Sequence, residues 1–343
     1  MRTSFLPSIL TLAFLAVTGC GSTLPRAELV RPVPPPETDT ERVRRMLCAD
    51  VGEESCLEAH FGTDPEALRI ARSLYFDRKT LVGVERRTSI EGYRGEQVTL
   101  IPAVPIGDER HHLEWLHASI ATFESFVETI AARASKPVQF DPRPPGVVFF
   151  RTEKPSYPSA YCVDGLIAYN LDGPLHTDRR EMLETMFHEL FHLSDARNGS
   201  WSERVLLPVY ESIVARCASD HECLGPYAPH ETRVPDGTYY AFDTRSGDVR
   251  EYAAEIALRY FLEQESVLEG RSPSPAFKCL TDENRVAWEL VVDEFFGGVD
   301  LSRACAVTET AVSLRDRAGA ARAVRSPRAE APDRSASSLR AGR

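Results

Sequence analysis

Beyond Val17 this 343-residue chain has no apolar run long enough to cross a bilayer, which excludes a polytopic membrane protein. Basic residues are in the minority: 40 Lys and Arg face 51 Asp and Glu, a formal net charge of −11. Residues 314–343 carry eight Arg against three acidic residues, so the body before them sits near −16. A body that acidic repels phosphate, and nucleic acid is excluded as the main partner. No internal repeat is present either. What is present is the material of a globular core, with 43% hydrophobic and 27% charged residues, so global disorder is not expected.

The termini read differently from the body. Arg2 gives a basic start, and Phe5 to Val17 is a short, nearly uncharged stretch suited to a secretory signal over residues 1–19. It ends in Val17-Thr18-Gly19-Cys20, which resembles the lipobox of bacterial lipoproteins. The resemblance implies that Cys20 becomes the mature N-terminus and carries acyl chains, and two or more chains anchor a protein stably to a membrane. An ordinary cleaved signal that happens to contain a Cys is the competing reading. Gly21 follows where an Asp would favour the inner membrane of a Gram-negative cell, so the resemblance implies a bacterial cell-envelope protein at the outer membrane. Residues 20–44 form a tether, with Arg31-Pro32-Val33-Pro34-Pro35-Pro36 as an extended polyproline spacer.

Export places the cysteines in an oxidising space. Setting Cys20 aside leaves seven, an odd number. Local spacing suggests Cys48–Cys56, Cys217–Cys223 and Cys279–Cys305, with Cys162 left over.

Along the body, residues 45–94 form a charge-rich N-terminal region with one helix near Pro65–Tyr75, and residues 95–313 form the main domain. Gln97–Ile101 reads as a strand. Residues 112–134 carry Leu113, Leu116, Ile120, Phe123, Phe126, Val127 and Ile130 at helical spacing. Val147–Phe150 and Leu166–Asn170 read as two further strands, the second entered through Asp164-Gly165. Residues 314–343, mostly Arg, Ala and Ser, are expected to be disordered.

The informative stretch runs from Thr177 to Gly199. Asp178 with Glu181 makes a capping-box-like start, and Asn198-Gly199 makes a stop. Within the helix lies His188-Glu189-Leu190-Phe191-His192. Residues i and i+4 sit one turn apart on one face, so two imidazoles there can aim at a single ion such as zinc (Zn2+). Glu189 is offset and can reach a water on that ion without binding it. A catalytic zinc site needs a third protein ligand. Arg250 to Phe261 reads as a second helix, in which Glu251 and Glu255 are again i and i+4. Glu251 can bind the ion. Glu255, and Asp195 three residues after His192, can each accept a ring N–H from a ligand histidine. The competing readings are a chance pentapeptide in a core helix and a solvated acidic face. Ala253, Ala254, Ile256 and Ala257 speak against the second, because they make that helix look buried.

His188-Glu-Leu-Phe-His192-Leu-Ser-Asp195 resembles the H-E-x-x-H-x-x-D motif of gluzincin metallopeptidases. Glu251-Tyr-Ala-Ala-Glu255 resembles their second motif, and is similar to the E-F-F-A-E of the anthrax lethal factor type of catalytic domain. The similarity continues into Pro275-Ala276-Phe277 and covers roughly residues 178–200 and 245–297. It implies an α+β, zincin-like fold with long helices on a small twisted sheet. It implies zinc ligands His188, His192 and Glu251, with Glu255 in the outer shell. The long helix would be 112–134, and the edge strand holding a peptide substrate would be Leu166–Asn170. One position departs from the family pattern: Thr244 stands where the lethal factor type has a Tyr that steadies the transition state. Tyr240 is the expected substitute, with Tyr239, His230 and Arg245 as other candidates.

The sequence therefore points to a lipid-anchored zinc metallopeptidase acting on a peptide or protein. Its catalytic residues would be Glu189 and Tyr240, its metal ligands His188, His192 and Glu251, and its outer-shell carboxylates Asp195 and Glu255. The alternative is a zincin-fold envelope lipoprotein that binds or scaffolds with little or no turnover.

Overall fold

The computed structural model describes residues 37–49, 51–92, 95–153, 158–234, 237–243, 248–271, 275–305 and 313–316. The signal sequence, Cys20, the polyproline spacer, Thr244, Arg245 and nearly all of the Arg-rich tail lie outside them. Residues 313–316 form a helical turn whose Leu314 is buried in the core.

Three helices come first: α1 (Asp39–Cys48), α2 (Glu53–Phe61) and α3 (Pro65–Arg78). Thr38 and Glu41 close a capping box on α1, and Asp64 caps α3 just before Pro65. Strands β1 (Leu81–Val84), β2 (Ser89–Glu91) and β3 (Gln97–Pro102) precede the long helix α4 (Arg110–Ala131). Then come β4 (Gly146–Thr152), β5 (Ala160–Val163) and β6 (Leu166–Asn170). The rest is helical: α5 (Arg179–Arg197), a π-helical segment (Ser202–Leu206), α6 (Leu207–Cys217), α7 (His221–Leu224), α8 (Val249–Leu268) and α9 (Asp282–Phe295). The α+β class expected from the sequence is what the chain adopts.

β4 organises the sheet, which curls around it. Its first half pairs in parallel with β1 and its second half antiparallel with β3, while β6 runs parallel along its other side. Gly146 opens β4 because nothing larger fits: a Cβ there would meet Val43 Cγ1 at 2.6 Å and Leu166 Cδ2 at 2.7 Å. β1 and β2 place residues 45–94 in the same sheet and core as the residues that follow.

The strand expected at the sheet edge, Leu166–Asn170, is interior instead. Asp164 and Gly165, at φ 49° and 82°, form a two-residue turn that folds β5 antiparallel onto it. β5 is thus the edge on this side among the described strands. All five residues of β6 are buried, as an interior strand requires. Asn170 N donates to Ser159 O, which sets the ladder phase. Tyr161 and Val163 therefore bond inward, and the backbone of Ala160 and Cys162 faces the open side.

An aromatic lattice fixes α4, α5 and α8 against one another. Phe187 of α5 stacks on Phe261 of α8 at 4.5 Å and meets Phe123 of α4 edge-on at 5.4 Å. Phe126 closes on Phe261 at 4.9 Å. Each of these rings is buried and contributes about 2–3 kcal/mol by removal from water. Phe187 immediately precedes His188, so the same packing sets where the next residue points.

The three disulfides are Cys48–Cys56, Cys217–Cys223 and Cys279–Cys305, as the spacing suggested. Cys162 is the free cysteine among the described residues.

Candidate metal centre

α5 and α8 cross, and each brings one motif to the crossing. The Asp178 carboxylate caps α5 through Arg180 N and Glu181 N. Glu181 does not complete a reciprocal box on Asp178, but accepts from Thr177 N and Oγ1. Asp248 caps α8 through Arg250 N and Glu251 N, so the helix begins two residues before its first site residue.

Three side-chain atoms converge. His188 Nε2 lies 3.0 Å from Glu251 Oε2 and 3.0 Å from His192 Nε2, and His192 Nε2 lies 3.3 Å from Glu251 Oε2. Among the described residues this is the group that could hold a metal ion. Its chemistry fits one: two imidazole nitrogens and one carboxylate oxygen are the donor types of a zinc site, and donors about 2.0–2.1 Å from a tetrahedral ion stand roughly 3.3 Å apart. Two ring nitrogens turned on each other and on one oxygen cannot all be satisfied by hydrogen bonds between themselves, whereas a shared cation satisfies all three.

The electrostatics accord with a cation site. Burial would push the Glu251 carboxyl up, but the His192 and His188 rings hold it well below the usual range. Burial pulls His192 down, yet Glu251, Glu189 and Asp195 push it up to about 9.

Glu189 is buried at the edge of this group and is not one of the three. Its Oε2 accepts from Cys162 Sγ at 3.1 Å. Tyr240 opens a short 3-10 turn, with its ring 6.2 Å from the His188 ring. Burial and the charges of Glu251, Glu189 and Glu255 push the phenol well above its ordinary pKa, so it is a proton donor at neutral pH. Tyr239 points away and stacks on His221 at 4.6 Å. His230 faces Glu184 rather than the triad.

The two outer carboxylates differ in use. Asp195 accepts from Ser202 N at 2.8 Å and Ser202 Oγ at 2.6 Å, tying the end of α5 to the π-helical segment, and its charge is felt by His192. Glu255 is buried one turn beyond Glu251. Burial raises its pKa and the charges of His188 and His230 lower it, so its link to the ligand ring is one of charge. Phe277 is buried against α8 and α9, away from the triad: its N–H donates to Glu263, Arg259 lies over its ring and Trp288 packs beside it.

The Cys162–Glu189 contact and the Glu184–His230 pair were not anticipated. Cys162 lies on a four-residue strand too short to stand out, just after residues of strong turn composition. Glu184 had a readable signal, since it sits one turn before His188 as Glu255 sits one turn after Glu251.

Comparison with protein-family models, with curated proteins and with solved structures finds no match to this chain.

Proposed function

We propose that the protein is a zinc-dependent metallopeptidase of the gluzincin kind, built on a zincin-like fold. The observation that carries the reading is the meeting of His188 Nε2, His192 Nε2 and Glu251 Oε2 within 3.3 Å, with Glu189 buried beside them and outside the group. His188, His192 and Glu251 would hold the ion. Bound zinc supplies Lewis-acid polarisation and a water acidified to a pKa of about 7. Glu189 then serves as general base, taking a proton from water as oxygen attacks the peptide carbonyl and returning it to the leaving amine. The Tyr240 hydroxyl donates to the developing oxyanion, a role worth about 100- to 1,000-fold in rate.

We further propose attachment to the cell envelope through a lipidated Cys20. Three disulfides accord with an oxidising compartment. Loss of fatty-acid labelling in Cys20→Ala is the check on that point.

The experiment for the activity pairs metal analysis with Glu189→Gln. Purified protein is expected to carry one zinc per chain and to cleave members of a peptide library. Glu189→Gln should keep the zinc and lose the cleavage. Zinc without any cleavage in the wild type would favour a binding or scaffolding lipoprotein. Unchanged cleavage in Glu189→Gln would remove Glu189 from the mechanism.

A further inference from the structure

We propose that His230 and Glu184 are positioning residues for Tyr240. The inference rests on the peptidase reading above and names a pair of side chains that this reading does not use.

Tyr240 ends a small hairpin. Its N–H donates to Thr232 O at 2.9 Å, Arg233 and Tyr239 form an antiparallel bridge, and Val234 N donates to Thr238 O at 3.2 Å. His230 lies two residues before Thr232, at the same open end of this hairpin as Tyr240. His230 Nδ1 lies 2.7 Å from Thr232 Oγ1 and accepts from Thr232 N at 3.3 Å. An Nδ1 that accepts leaves the proton on Nε2, and Nε2 faces Glu184 Oε2 at 3.4 Å. Glu184 is itself held by Arg180 Nε at 2.6 Å, and it stands on α5 one turn before His188. The chain of contacts is therefore closed. It leaves α5 at Glu184, passes through His230 and Thr232 to the Tyr240 backbone, and returns to α5 where the Tyr240 ring faces His188.

A strut of this kind has a specific use. A donor aimed at a developing oxyanion works only over a narrow range of position, and a misplacement of about 1 Å costs on the order of 100-fold in rate. Tyr240 sits on a connecting segment between α7 and α8 rather than on a helix of the crossing, so its aim depends on what holds that segment. Glu184 and His230 attach it to the helix that carries both histidines. Movement of α5 and movement of Tyr240 are coupled in consequence.

The test uses the full chain and two substitutions, His230→Ala and Glu184→Ala, with His230→Gln as the conservative variant. Amide hydrogen exchange of the peptide containing Tyr240 is measured first, since it needs no turnover. Exchange there should quicken about tenfold in both Ala variants, while the cores of α5 and α8 stay protected. In the zinc-loaded enzyme, His230→Ala should lower kcat about tenfold with KM unchanged, and His230→Gln should recover most of it. In a Tyr240→Phe background the same His230→Ala change should cost nothing further, because its effect runs through the Tyr240 hydroxyl. Unaltered exchange at Tyr240 in both Ala variants would overturn the proposal. So would an equal loss of kcat from His230→Ala with and without the Tyr240 hydroxyl. If the wild type cleaves no peptide, the peptidase reading fails, and the exchange measurement alone decides whether the strut holds Tyr240.

Discussion

Cys162 Sγ lies 3.1 Å from Glu189 Oε2 and 3.1 Å from the Glu189 main-chain oxygen. A single S–H donor is therefore aimed at one residue, from the edge strand β5 to α5. Burial raises the thiol pKa, and the adjacent Glu189 charge raises it further, so the group is a neutral donor and a poor nucleophile. Cys162 is not among the three residues that could hold a metal ion.

The first prediction concerns that thiol. Folded protein should react with iodoacetamide far more slowly at pH 8 than an unfolded cysteine does, and unfolding should release Cys162 to label. Glu189→Gln removes the neighbouring charge and should speed labelling of the folded chain at fixed pH. Equal labelling rates in wild type and Glu189→Gln, read by mass spectrometry, would show that the carboxylate does not govern the thiol.

The second prediction separates ligand from neighbour. Glu251→Ala deletes one of three converging donors and should weaken zinc binding by more than about 100-fold, beyond the effect of an outer-shell change. Glu255→Gln removes a charge felt by His188 and should weaken it by about 10- to 100-fold. Competition against a chromophoric chelator measures both. Wild-type affinity in Glu251→Ala would remove Glu251 from the site.

Much of this site was legible in the chain because helical period is a short-range rule. His188 and His192, and Glu251 and Glu255, are each one turn apart, and the apolar residues around them give the face of each helix. The meeting of the two helices is a long-range event, set by Phe187, Phe261 and Phe123, and spacing alone does not determine it. Disulfides of short span were readable for the same local reason. β5 was not readable. Its four residues alternate half-buried and buried, and its pairing with β6 follows from a positive-φ turn rather than from any run of strand formers. The edge was therefore expected one strand too far inside. Asp195 shows the same limit at a single residue. Sequence position suggests a partner for a histidine ring, whereas the fold turns the carboxylate onto Ser202.

That observation gives the third prediction. Asp195→Ala should act first on stability, because it strands the buried N–H and hydroxyl of Ser202. The expected cost is about 2–4 kcal/mol, measured as a lower denaturant midpoint. Zinc affinity should fall less than in Glu251→Ala. Unchanged stability with a large loss of zinc affinity would mean that Asp195 serves the His192 ring first.

The last prediction is a pH dependence away from the metal group. His176 stacks on Tyr169 at 4.0 Å with its Nε2 buried and unpartnered, and Tyr169 OH meets His112 Nδ1 at 2.8 Å. Burial lowers His176 to about 4, although Asn170 O and Glu181 oppose it. Burial, with His111 and His176 adding to it, lowers His112 to about 3. Both rings are thus neutral in the folded chain at pH values where an unfolded histidine, with a pKa of about 6.5, takes up a proton. The unfolded state then binds more protons, so stability falls as pH drops. The loss begins near the unfolded value of about 6.5 and continues toward the folded values, at up to about 1.4 kcal/mol per pH unit for each ring. Carboxylates held low in the fold, such as Asp300, lose their contribution only below their unfolded value of about 4. Histidines raised in the fold, such as His230, are protonated in both states below about 6.5. Between about pH 4.5 and 6.5 the lowered histidines therefore cost stability as pH falls, opposed by carboxyls that burial raises, such as Asp195 and Glu255. Urea midpoints across that interval should fall steeply in the wild type and less steeply in His176→Gln. Parallel lines for the two proteins would mean that protonation of His176 does not limit acid stability.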